Sequence, residues 1–124
     1  MVYMQNIMKI LQGSPGSGKT TYIKKQIASE AWPRYAMICG ISQYTEEVIA
    51  ASLPHVRHLS AEALCFRRAT DLVINKAPFI IIDNSNITME DAAPYVLLAK
   101  AYDYAFELIS VDENFSNLQF RSIS

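Results

Sequence analysis

Cysteine is sparse and unpaired in this chain. Its two cysteines, Cys39 in AMICG and Cys65 in EALCF, fall in no paired motif and have apolar neighbours. A disulfide framework has nothing to build on, and two buried free thiols in a reducing, cytoplasmic setting are expected. Net charge is scarce as well: 11 basic against 12 acidic residues leave −1, so no broad basic surface announces a nucleic-acid partner. The local pairs Lys24–Lys25 and Arg67–Arg68 read as solvated helix faces. No apolar run approaches the ~20 residues of a membrane span, so no membrane partner is expected. The opening MVYMQNIMKILQ has one lysine and no long apolar core, and does not read as a secretory signal. Internal repeats, low-complexity tracts and linkers are absent too.

What is present is hydrophobic patterning. With 124 residues and 51% hydrophobic content, the chain is expected to form one domain over 1–124 around a single core. Short apolar runs alternate with longer amphipathic ones. Ile7–Leu11, Tyr35–Cys39, Phe79–Asp83 and Phe106–Val111 predict strands, and FIIID, apolar on both faces, predicts a parallel strand covered on each side. The spacing predicts a helix over Lys19–Ala31 stopped by Pro33, and another from a Ser60 cap to about Lys76. Thr88 with Asp91 resembles a capping box, after which Pro94 either opens the main helical run or kinks a longer one. A short helix over Thr45–Ala51 is the reading for the least patterned stretch, 40–59. Such alternation implies an α/β domain: a mainly parallel sheet of about four strands flanked by helices, C-terminally short, with 111–124 as a tail.

One stretch carries chemistry. Gly13-Ser14-Pro15-Gly16-Ser17-Gly18-Lys19-Thr20 fits G-x-x-x-x-G-K-[ST], between a predicted strand and a predicted helix. The glycines let the backbone curl until successive N–H groups point inward at phosphate oxygens. The helix that follows presents its positive end to the same anion. Lys19 is of the right length and charge for β- and γ-phosphates, and the Thr20 hydroxyl for Mg²⁺, with Thr21 next in line. A P-loop NTPase-like fold and a bound nucleotide follow. ATP is the default, because NKAP at Asn75–Pro78 begins like a guanine-reading N-K-x-D element but has Pro78 in place of the acid. Asp83 ends a central strand at the edge where α/β folds keep ligands, the position of an acid that fixes Mg²⁺.

Other residues carry weaker patterns. His55 and His58 have a His-x-x-His spacing but no local cysteine or further histidine to complete a metal site. Tyr95 and Tyr102 are helix-spaced, and packing accounts for them better than base stacking does.

GSPGSGKTT near the start, together with IIIDNSN followed by MEDAAPYVLLAKAYDY, resembles the polynucleotide-kinase-like branch of P-loop kinases. The likeness runs over about 7–111 and rests on both motifs in their order. It implies ATP and Mg²⁺ as cofactors and a 5′-hydroxyl of nucleic acid, or a nucleoside, as acceptor. It also implies phosphate and metal roles for Lys19 and Thr20, and Asp83 beside the metal or the acceptor hydroxyl. Two departures stand beside the matches. Members of that branch carry a segment like D-D-Y-R, with a base and an acceptor-binding arginine; here the stretch is GISQYTEE. With Tyr44 aligned, Ser42 stands where the base belongs and Thr45 where the arginine belongs, leaving Glu46 or Glu47 to deputise. The family's arginine-bearing lid also has no counterpart in DENFSNLQFRSIS, where Arg121 is the sole arginine.

Three functional classes follow. A phosphotransferase would move label from ATP to an acceptor. A catalytically degenerate nucleotide binder would act through a protein partner or a second copy of itself. A simple hydrolase would use Gln43 or Glu46 to orient water.

Overall fold

Phe79–Asp83 forms the strand that FIIID predicts, with its first four residues buried. Around it the computed structural model describes residues 5–13, 18–40, 54–84, 89–111 and 119–123, with the backbone alone described over 54–61 and 119–123. In chain order the elements are β1 (Ile7–Gln12), α1 (Lys19–Ala28), β2 (Met37–Gly40), α2 (Pro54–Ile74), β3 (Phe79–Asp83), α3 (Met89–Ala101), β4 (Ala105–Ser110) and β5 (Gln119–Ile123). The strands join in one sheet, ordered β2-β3-β1-β4-β5. The first four strands in that order are parallel, as expected; β5 adds an antiparallel edge on β4, with Phe106 opposite Ile123 and Ser110 opposite Gln119. This fifth strand occupies part of the stretch read from sequence as a tail.

Right-handed crossovers decide which helix covers which face. The chain moves one way across the sheet from β1 to β2, then back from β2 to β3 and on to β4, so α1 falls on one face and α2 and α3 on the other. Strand alternation then sorts the side chains. Met8, Ile10, Cys39, Ile80, Ile82, Phe106 and Leu108 pack under α2 and α3. Leu11, Phe79, Ile81 and Ile109 pack with Tyr22 and Ile23 of α1 and with Trp32. Trp32 meets Tyr22 edge-on at 5.6 Å and Phe79 at 5.9 Å, closing the end of the α1 layer.

Helix boundaries differ from expectation for local reasons. The second helix starts at Pro54, six residues before the predicted Ser60 cap; a proline is well suited to a first helical position, where no N–H is needed. The first helix stops at Ala28 rather than Ala31, because Glu30 turns into the left-handed region at φ 65°. Two further ends use the same device. Lys76 (φ 58°) and Asp103 (φ 61°) close α2 and α3, with Ala77 N–H donating to Leu72 O at 2.9 Å and Tyr104 N–H to Ala99 O at 2.8 Å. Pro94 lies inside a continuous α3. The predicted second strand shifts to Met37–Gly40, since Pro33–Ala36 makes a turn closed by Ala36 N–H to Pro33 O at 3.2 Å. Among the described residues no helix is long and apolar enough to cross a membrane.

Candidate nucleotide-binding site

Sheet order brings the two sequence motifs together. Because β3 lies beside β1, with Asp83 in register with Leu11, the acid at the end of β3 stands next to the strand that runs into the glycine-rich loop. From Gly13 the chain re-enters the described residues at Gly18, whose φ of 95° only glycine adopts at little cost, and α1 begins at Lys19. Gly18 makes no side-chain cap at this helix start, whose positive N-terminal end suits an anion. A cavity of about 320 Å³ opens there, lined by Gly18, Lys19, Thr20 and Thr21. A larger one, about 630 Å³, lies at the opposite end of the strands among Asn6, Ile74, Tyr102 and Asp103, away from Lys19, Thr20 and Asp83.

Lys19 is 8% exposed, and its Nζ donates to the carbonyl of Gly13 at 3.0 Å. Burial pulls its pKa below the ordinary lysine value, with Asp83 nearby opposing that fall. The Thr20 hydroxyl donates to Asp83 Oδ2 at 3.2 Å. Burial in turn raises the Asp83 pKa, against the lowering effects of the Thr20 hydrogen bond and the Lys19 charge. Ammonium, hydroxyl and carboxylate thus converge at one end of β1 and β3.

The donors suit a magnesium nucleotide. Mg²⁺ prefers oxygen ligands and commonly takes one or two carboxylates plus substrate phosphates, keeping the rest of its shell as water. A hydroxyl and a carboxylate already within 3.2 Å of each other fit that requirement. Among the described residues no group of three or more His, Cys, Asp or Glu forms an all-protein cage, the other common way to hold a metal. An incoming triphosphate would offer Lys19 anionic oxygens, stronger acceptors than the Gly13 carbonyl.

Behind the acid lies a residue to which the IIIDNSN motif assigned no role of its own. Asn84, 5% exposed, points away from the loop into the α2/α3 layer. Its Nδ2 donates to the Tyr95 hydroxyl at 3.0 Å and approaches Cys65 Sγ at 3.3 Å, while Tyr95 Oη donates to the same sulfur at 3.4 Å. Tyr95 is core, as expected; Tyr102 is 48% exposed and lines the larger cavity instead. Both cysteines are free and buried, and burial pushes the Cys39 thiol up to about 12. Ser14, Pro15, Gly16, Ser17, Ser42, Gln43, Thr45, Glu46, Glu47 and Thr88 lie outside the described residues, as do the side chains of His55, His58 and Arg121.

No family model matches the sequence, and none of the curated proteins resembles it closely enough to count as a relative. Solved structures resemble the fold. The chain superposes on a protein of the Pnkp1/Rnl/Hen1 complex with a TM-score of 0.69 at 19% identity, over 90% of this chain and 37% of that one. A candidate kinase of Chloroflexus aurantiacus gives 0.65 at 16% identity, over 88% of this chain and 61% of that one. The APS kinase CysC of Mycobacterium tuberculosis gives 0.59 at 13% identity, over 90% of this chain and 79% of that one. The chain therefore spans little more than a third of the first of these proteins and under two thirds of the second. With its strand order, its strand-end acid and a glycine-rich sequence between β1 and α1, the chain has a P-loop kinase-like fold.

Proposed function

We propose that this chain binds ATP with Mg²⁺ at Gly13–Thr21 and transfers the γ-phosphate to a hydroxyl acceptor, the 5′ end of a nucleic acid or a nucleoside. The observation that carries the reading is the 3.2 Å contact between Thr20 and Asp83, made by residues 63 apart in sequence and flanked by Lys19. In this reading the backbone of the loop and the start of α1 cradle the phosphates. Lys19 would exchange its bond to Gly13 for phosphate oxygens, while Thr20 and Asp83 would hold the metal. Bound Mg²⁺ supplies neutralisation of charge that builds on the phosphate oxygens. Positioning and charge of this kind account for most of phosphoryl-transfer catalysis. The choice of a 5′ hydroxyl rests on the sequence resemblance and on the fold likeness to a protein from an RNA repair complex.

A second reading, nucleotide binding without transfer that acts through a protein partner, draws support from the same likeness, since that protein was solved within a complex. Incubation with γ-labelled ATP, Mg²⁺ and a 5′-hydroxyl oligonucleotide separates them. Transfer puts label on the oligonucleotide, and Lys19→Ala abolishes it. ATP binding with no label transfer favours the second reading, and release of inorganic phosphate without an acceptor overturns both in favour of hydrolysis.

A further inference from the structure

We propose that Asn84 is a positioning residue for Asp83, and that the buried ring it forms with Cys65 and Tyr95 sets the metal-binding geometry from behind. This rests on the reading above, that Thr20 and Asp83 serve a magnesium nucleotide.

Asp83 is the last residue of β3, in register with Leu11 and Gly40. Asn84 follows it, where the chain bends. Side-chain bonds hold the chain at that point. The amide of Asn84 reaches Tyr95 of α3 at 3.0 Å and Cys65 of α2 at 3.3 Å, and Cys65 and Tyr95 meet at 3.4 Å, which closes the ring. Tyr95 is itself held, its ring edge-on to Phe66 of α2 at 5.3 Å. The strand end is therefore tied to both helices of one layer, while its neighbouring residue faces the other side.

The ring also decides which of two adjacent polar residues faces the loop. A slip of one residue at the strand end would exchange Asp83 and Asn84 between the two faces. That slip would place a carboxylate between Cys65 and Tyr95, in the apolar layer that also holds Ala92. Burying an unpaired charge there is expensive, whereas a neutral amide that both donates and accepts is satisfied by a hydroxyl and a thiol. Among the described residues, Asn84 and Lys19 are the buried polar or charged ones, and they stand on opposite sides of Asp83.

The test is the affinity for ATP measured twice, in Mg²⁺ and in EDTA, for wild type, Asn84→Ala, Tyr95→Phe and Cys65→Ser, each checked for folding by circular dichroism. Wild type is expected to bind more tightly in Mg²⁺; if it does not, the underlying reading fails before the ring is tested. Given that enhancement, Asn84→Ala and Tyr95→Phe should reduce it by about 10-fold or more, the range seen when groups behind a metal ligand are removed. Affinity in EDTA should change by less than about 2-fold, because the loop and Lys19 do not depend on the ring. Cys65→Ser, which keeps a hydroxyl in place of the thiol, should stay within about 3-fold of wild type. Should Asn84→Ala fail to fold, Tyr95→Phe, which removes a single oxygen, decides the matter alone. An unchanged enhancement in the folded variants, or an equal fall in Mg²⁺ and in EDTA, would overturn the proposal.

Discussion

The two faces of the sheet bury side chains of different kinds. Under α2 and α3 the sheet offers Met8, Ile10, Cys39, Ile80, Ile82, Phe106 and Leu108, with no charged residue among them. In that layer Asn84, Cys65 and Tyr95 are neutral and bond one another, and the Tyr104 hydroxyl donates to the Ala77 carbonyl at 2.7 Å. The α1 side carries Asp83 and, further down, Lys9 and Glu107, which are register partners across β1 and β4 and join at 3.0 Å. Coverage explains the contrast. Among the described residues, one helix of 10 residues covers the α1 side, whereas helices of 21 and 13 residues cover the other. Beneath two helices a charge would lose its water; beneath one, Lys9 and Glu107 keep 18% and 25% of their side chains exposed. One face is therefore built for stability, and the other has room for the charges that chemistry requires.

The largest test of that division is truncation on each side of the same strand. Ile81 and Ile82 are both fully buried but face opposite layers. Ile82→Ala should cost near the top of the roughly 2–5 kcal/mol range for such changes, and Ile81→Ala near the bottom. Urea denaturation reads both, and equal costs would break the comparison.

Asp83→Asn sharpens it by setting function against stability. The folded protein holds the Asp83 proton to higher pH than the unfolded chain does, because burial outweighs Thr20 and Lys19. Its ionised carboxylate therefore weakens the nucleotide-free protein, with stability greatest below the ordinary carboxylate pKa and declining as pH rises through the elevated one. Asp83→Asn should remove that decline and raise stability by on the order of 1 kcal/mol. Magnesium-dependent ATP binding, which strengthens as Asp83 ionises, should be lost in the same variant. Thermal melts across pH 4–7, beside ATP titrations, check both halves.

A smaller effect is expected at Lys9 and Glu107. Replacing both by Met and Leu should change stability by no more than about 1 kcal/mol, since partly exposed ion pairs contribute little. A loss well beyond that would show the α1 side to depend on its charges. Smallest of all should be Lys76→Gly and Asp103→Gly. Each would relieve a left-handed non-glycine residue and gain about 0.5 kcal/mol, a value that differential scanning calorimetry resolves.

These last sites also show where the sequence could be read and where it could not. Strand Phe79–Asp83 and the helix that begins at Lys19 were legible because each has a local signature, an unbroken apolar run and an amphipathic spacing. Helix ends were not, because the signal usually sought there is glycine. The chain has 4 glycines, of which Gly13, Gly16 and Gly18 all belong to the loop, so Glu30, Lys76 and Asp103 take the turning positions instead. The early start of α2 did have a signal, Pro54, but it lies in the least patterned stretch, 40–59. β5 had none, since an antiparallel edge strand depends on the neighbour it finds in β4. The role of Asn84 was not legible because its partners, Cys65 and Tyr95, are 19 and 11 positions away. Only the fold brings them together.

The account stands or falls on whether Lys19, Thr20 and Asp83 form a magnesium-nucleotide grip. Calorimetric titration of the protein with ATP, in Mg²⁺ and again in EDTA, beside Lys19→Ala, tests this most directly. We predict binding that is at least about 10-fold tighter in Mg²⁺ and is lost in Lys19→Ala. No binding to the wild type, or an affinity indifferent to both Mg²⁺ and Lys19, would contradict it.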